Sequence, residues 1–66
     1  MQITINGKKE IIDNPKSLLE LIGEKKLNKE KMVVELNLKI IPRDNLKSTQ
    51  IQEGDSIEFV SFVGGG

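Results

Sequence analysis

Ser56-Ile57-Glu58-Phe59-Val60-Ser61-Phe62-Val63-Gly64-Gly65-Gly66 closes the sequence, and the reading of this stretch decides the fold. Strand alternation puts Ile57, Phe59, Ser61 and Val63 on one face and Glu58, Val60 and Phe62 on the other. A strand in a sheet covered on one side needs only one apolar set. Here apolar residues reach both faces towards the C-terminal end. Two readings are open: a central strand partly covered on both sides, or an exposed patch of Val60 and Phe62, which small monomers rarely carry without a use. Beyond the strand, three glycines present a free α-carboxylate on Gly66. That carboxylate is expected to be the working group, with residues 1–63 forming a single domain and 64–66 a flexible tail. A frayed terminus is the plainer alternative.

Upstream of this strand, Glu53-Gly54-Asp55 is turn chemistry, and Leu46 and Ile51 read as apolar plugs beneath a loop. Arg43 to Leu46 is expected to form a turn or one loop of tight helix. Pro42 ends a short strand, Leu38 to Ile41, by withholding a ladder donor. Asn37 allows a tight turn back to another strand, Met32 to Leu36. At the other end of the chain, Gln2-Ile3-Thr4-Ile5 alternates polar and apolar residues, with Ile3 and Ile5 on the core side. Asn6-Gly7 is the favoured dipeptide of two-residue hairpins, whose central positions need φ > 0. Lys8 to Ile12 is the returning strand, and its lysines mark an exposed edge.

Between these strands lies one helix. Asp13-Asn14-Pro15-Lys16 is a turn, and Ser17 with Glu20 forms a capping box. Leu18, Leu21 and Ile22 share one face at i, i+3, i+4 spacing, with Leu19 at its margin. Gly23 weakens the second half by about 1 kcal/mol relative to Ala, so the helix is short and exits near Leu27-Asn28. Glutamates interleave the lysines from Glu24 to Lys31, which makes that segment a solvated helix end with lysines complementing the dipole. The order is hairpin, helix, short strands, final strand. It predicts an α+β roll: a mixed sheet of four to five strands with one main helix packed across it. Pairing of the first and last strands makes the N-terminal strand central.

Composition excludes several functions. With 66 residues there is room for one small core and no deep enclosed pocket. Ten basic and ten acidic residues cancel, which argues against nucleic acid as the main partner. Two Phe and no Tyr or Trp leave few stacking platforms. The chain has no Cys and no His, so thiolate chemistry, disulfides, zinc thiolate sites and the commonest general base are missing. No apolar run is long enough to span a membrane, and no signal-peptide pattern precedes the first strand. The expectations are a cytoplasmic protein, monomeric when free, and not an enzyme by itself.

Five segments carry a resemblance that covers essentially the whole chain: Met1-Gln2-Ile3 with Asn6-Gly7, Leu18-Leu19-Glu20-Leu21-Ile22, Asn37-Leu38-Lys39-Ile40-Ile41-Pro42-Arg43, Gly54-Asp55-Ser56-Ile57-Glu58-Phe59-Val60, and Val63-Gly64-Gly65-Gly66. Together they resemble the ubiquitin-like β-grasp sulfur carriers of the ThiS/MoaD family, and the thiamin branch most closely. The resemblance implies that a ThiF-type, E1-like adenylyltransferase activates the Gly66 carboxylate with ATP and magnesium. A sulfur donor, such as a cysteine desulfurase system, then gives a thiocarboxylate, which a ThiG-type thiazole synthase consumes. It implies no cofactor bound by this chain, since no phosphate loop or metal cluster is legible. Gly64 and Gly65 let the walls of a narrow cleft approach the backbone closely. Val60 and Phe62 are the candidate docking residues. Arg43 either pairs with an acidic group of the activating enzyme or merely covers a turn. The alternatives are a molybdopterin-type carrier, a modifier joined through Gly66 to lysines of targets, and a non-covalent interaction module.

Overall fold

The structure is a computed structural model, and it describes residues 1–13 and 16–62. The turn residues Asn14 and Pro15 and the segment Val63 to Gly66 lie outside the described residues.

Strand β1 (Gln2–Ile5) returns as β2 (Lys8–Ile11) through Asn6 and Gly7, whose φ angles of 49° and 83° are the left-handed pair a two-residue hairpin demands. Ile12 is buried just past the end of β2. Helix α1 (Leu18–Glu24) starts at the capping box. The Glu20 N–H donates to Ser17 Oγ at 3.1 Å and the Ser17 N–H donates to Glu20 Oε1 at 2.8 Å. Leu18, Leu21 and Ile22 are buried and Leu19 half-buried, as the spacing requires.

The helix ends after seven residues. The Leu27 N–H donates to Ile22 O at 3.0 Å and the Lys26 N–H to Gly23 O at 3.1 Å, the paired bonds of a Schellman ending. That ending places Lys26 at φ 58°, where glycine is usual. No lysine stands in the last turn of α1. Lys25 instead reaches Glu10 of β2 at 2.9 Å, and Lys16 reaches Glu24. Lys25 therefore acts through an exposed pair with a neighbour, worth little by itself, more than through the helix dipole.

A 3₁₀ turn (Lys29–Lys31) leads into β3 (Met32–Leu36), which turns back as β4 (Lys39–Ile41). The turn holds two residues at positive φ, Asn37 at 51° and Leu38 at 72°. Leu38 therefore belongs to the turn and not to the strand expected to start there, and its side chain is 91% exposed. Asn37 clamps the turn to the start of β5 (Ser56–Ser61): its Nδ2 donates to Asp55 Oδ1 at 3.0 Å, and its Oδ1 accepts from the Ser56 N–H at 2.9 Å. A second 3₁₀ turn (Arg43–Asn45) follows Pro42, and Leu46 and Ile51 plug the core beyond it, each 2% exposed.

The five strands form one mixed sheet in the order β2-β1-β5-β3-β4. β1 and β5 run parallel, with Ile5 beside Ile57; the other three pairings are antiparallel. β5 rather than β1 is the middle strand, though both are interior. The core lies between the sheet and α1, where Ile3, Ile5, Met32, Val34 and Ile57 meet Leu18, Leu21 and Ile22. One seven-residue helix covers one face. Among the described residues, nothing packs on the opposite face of the sheet.

Candidate functional site

The open face settles the two readings of the last strand. β5 is central in the sheet but covered on one side only. Its inward residue Ile57 is completely buried and Phe59 half-buried, while Glu58, Val60 and Phe62 face outwards. Val60 is 48% and Phe62 46% exposed. Register builds the patch from there. Val33 of β3 sits opposite Val60, and Ile40 of β4 lies beside Glu35, which is itself opposite Glu58. Val33, Val60, Phe62 and Ile40 thus make an apolar area with two carboxylates, Glu35 and Glu58, directly across from one another. Like charges placed opposite on adjacent strands destabilise a sheet.

Ile40 went unread in the sequence although a signal was there. Ile40-Ile41 places two apolar residues in succession on one strand, so one of them must point away from the core. Ile41 is half-buried and Ile40 is 66% exposed. Arg43 lies just past β4, exposed, lining a shallow groove with Val33, Ile40 and Pro42. Among the described residues it makes no ion pair. Its backbone carbonyl accepts from Leu46 N–H at 3.2 Å, closing the 3₁₀ turn. The residue therefore sits exposed at the end of β4, on the rim between the open face and the helix side.

The patch extends along β5 to Phe62, the last described residue, whose N–H donates to Lys31 O at 3.0 Å. Phe62 is thereby held in the sheet four residues before Gly66. Gly64, Gly65 and Gly66 lie outside the described residues. Among the described residues, no three or more acidic side chains converge as a metal site, and no helix is long and apolar enough to cross a membrane.

Comparison with known proteins agrees with this architecture. The model of the ThiS family matches residues 2–66. The crystal structure of the thiamine biosynthesis protein ThiS from Geobacter metallireducens superposes with a TM-score of 0.87 at 35% identity, with all of both chains covered. The protein ycf40 of Porphyra purpurea is 33% identical over all 66 residues, which span 93% of its length. A thiazole synthase of Paramagnetospirillum magneticum is also 33% identical over the 66 residues, but the chain spans only 20% of that protein.

Proposed function

The chain belongs to the ThiS family, and from that premise we propose that it is a sulfur carrier of thiamin biosynthesis whose reacting group is the α-carboxylate of Gly66. A carboxylate is a poor electrophile. Attack of its oxygen on the α-phosphorus of ATP expels pyrophosphate and leaves a mixed anhydride with AMP. The acyl carbon of that anhydride can accept a sulfur nucleophile as AMP departs. ATP and magnesium belong in this reading to an E1-like adenylyltransferase, and the sulfur comes from a donor such as a cysteine desulfurase system. When the donor sulfur is a persulfide, its attack gives an acyl disulfide, which an external thiol cleaves to the thiocarboxylate as a disulfide leaves. The thiocarboxylate passes its sulfur to a thiazole synthase, and the exchange takes place in the cytoplasm. The chain has no His and no Cys, and so lacks the commonest general base and a thiolate nucleophile. It acts as a protein co-substrate and not as an enzyme.

The observation that carries the reading is the reach of the family match. It runs through residue 66 and so takes in the three glycines that follow the apolar end of β5. The energetics say what the body must contribute. Holding three glycines along one extended path costs about 1–2 kcal/mol each. Full burial of a Val or Phe side chain contributes about 1.5–3 kcal/mol. Val60 and Phe62 are already about half buried, so covering both adds roughly 2 kcal/mol. The patch alone does not offset the ordering of the tail, and further contacts from Ile40, Arg43 and the backbone are needed.

Intact-mass measurement tests the proposal. The purified chain, incubated with an adenylating enzyme, ATP and a sulfur source, should gain the mass difference of one oxygen exchanged for sulfur. The chain lacking Gly66 should show no such gain while keeping the wild-type circular dichroism spectrum. An unchanged mass, with an enzyme that loads another carrier in the same mixture, would sink it.

A further inference from the structure

The middle strand of this sheet has one flank without a partner. β1 accompanies β5 only at Ser56 and Ile57 and then turns away at Asn6-Gly7. Strand geometry fixes which groups are left. The Phe62 N–H points to β3, where it meets Lys31 O. The Asn6 N–H meets Ile57 O on the β1 side, and the Phe59 N–H meets Asn6 Oδ1 at 2.8 Å on that same side. Alternation then sends the Phe59 carbonyl and both backbone groups of Ser61 to the β1 side. Among the described residues none of these three has a backbone partner there.

The two outer edges of the same sheet are guarded. β2 carries Lys8 and Lys9 at its exposed start; β4 carries Lys39 and is followed at once by Pro42. Lysine and proline are the usual deterrents to unwanted strand pairing. The inner flank, Phe59-Val60-Ser61-Phe62, has neither. It combines strand formers, no charge and free backbone groups at strand spacing, directly before the glycines. Asn6 fixes its lower limit by satisfying the first rung with a side chain.

We infer that this flank, bounded below by the Asn6-Gly7 turn, is a slot for an extended polypeptide segment of the same protein that takes the glycine tail. The segment adds as a strand beside β5, pairing with the Phe59 carbonyl and with the N–H and carbonyl of Ser61. Its side chains on the open face lie next to Val60 and Phe62, so that segment carries an apolar residue there. The inference rests on the carrier reading for the identity of the partner. It also supplies the backbone contacts that reading requires.

Ser61→Pro tests it, because it deletes an N–H that no described group accepts and leaves the Phe62 N–H bond to Lys31 in place. Binding of the variant to the adenylating enzyme of the mass assay, followed calorimetrically with ATP present, should weaken by about tenfold or more. Ser61→Ala, which keeps the N–H, should bind within about twofold of wild type. Wild-type protein gives an independent readout by NMR: the Ser61 amide should exchange freely in the monomer and slow when the enzyme is added. Wild-type binding by Ser61→Pro, with its circular dichroism unchanged, would overturn the inference. Slowing of Ser61 exchange with protein concentration alone would overturn it too, making a second copy the occupant. Binding that responds to Ser61→Pro while no sulfur is ever loaded would sink the carrier reading and leave the slot standing.

Discussion

Replacing Leu38 with glycine should stabilise the protein. Leu38 sits at φ 72° in the β3–β4 turn, a region that costs an L-residue roughly 1–2 kcal/mol. The chain contains its own comparison, since the β1–β2 turn has the same left-handed pair and fills its second position with Gly7 at φ 83°. Leu38 is 91% exposed, so removing its side chain forfeits almost no burial. Against the relief stands the greater freedom of glycine in the unfolded chain, about 0.5–1 kcal/mol. The balance is a gain of about 0.5–1 kcal/mol, which in a domain of this size raises Tm by about 2–8 °C. With no Trp or Tyr in the chain, far-ultraviolet circular dichroism in urea and heat is the suitable assay. Leu38→Ala is the decisive control: it keeps the Cβ, hence the strain, and should stay close to wild type. A glycine variant no more stable than wild type would refute the reasoning. So would an alanine variant that gains as much, because the benefit would then come from losing an exposed apolar side chain and not from the dihedral.

The same logic applies to Lys26→Gly at φ 58°, which should add about 0.5–1 kcal/mol in the same melts. Glu58→Lys turns the repulsion with Glu35 into an attraction. It should stabilise by about 0.2–1 kcal/mol, an effect that fades as salt is raised in parallel denaturation curves. Ile57→Ala removes a completely buried side chain at about 2–5 kcal/mol. Domains hold roughly 0.05–0.15 kcal/mol per residue in total, about 3–10 kcal/mol for this chain, so this variant should unfold at markedly lower urea concentration and temperature than wild type. Val60→Ser combined with Phe62→Ser should cost about 2 kcal/mol of stability, from the halves already buried, and weaken enzyme binding at least about tenfold in titration calorimetry at a temperature where the variant is folded.

Local signals carried most of the fold. Asn6-Gly7, the Ser17–Glu20 box and the spacing of Leu18, Leu21 and Ile22 each name their structure because the determinants lie within a few residues. Leu38 broke the pattern because a bulky residue at positive φ contradicts propensity, and only the pairing of β3 with β4 imposes it. Whether Val60 and Phe62 were covered was beyond local reading. Their exposure depends on how many layers the sheet acquires, and one short helix supplies a single layer. Ile40 could have been found from its neighbour Ile41, but the direction of each needed the register with β3. The unpaired flank beside Ser61 had no sequence signature, because it arises from where β1 stops relative to β5. Arg43 was named in advance, and its place in the 3₁₀ turn after Pro42 came only with the structure.

The parallel course of the first and last strands has a practical consequence for anyone handling this molecule. Residue 1 and residue 62 leave by opposite rims, separated by more than the length of β5, which is about 20 Å at the usual rise per residue. Cargo hung from the amino end, whether a dye, a bead or another folded body, sits on the rim away from Phe62. The amino group itself is not idle, since it donates to Ile12 O at 2.7 Å, so any such attachment should leave one N–H to close that clasp.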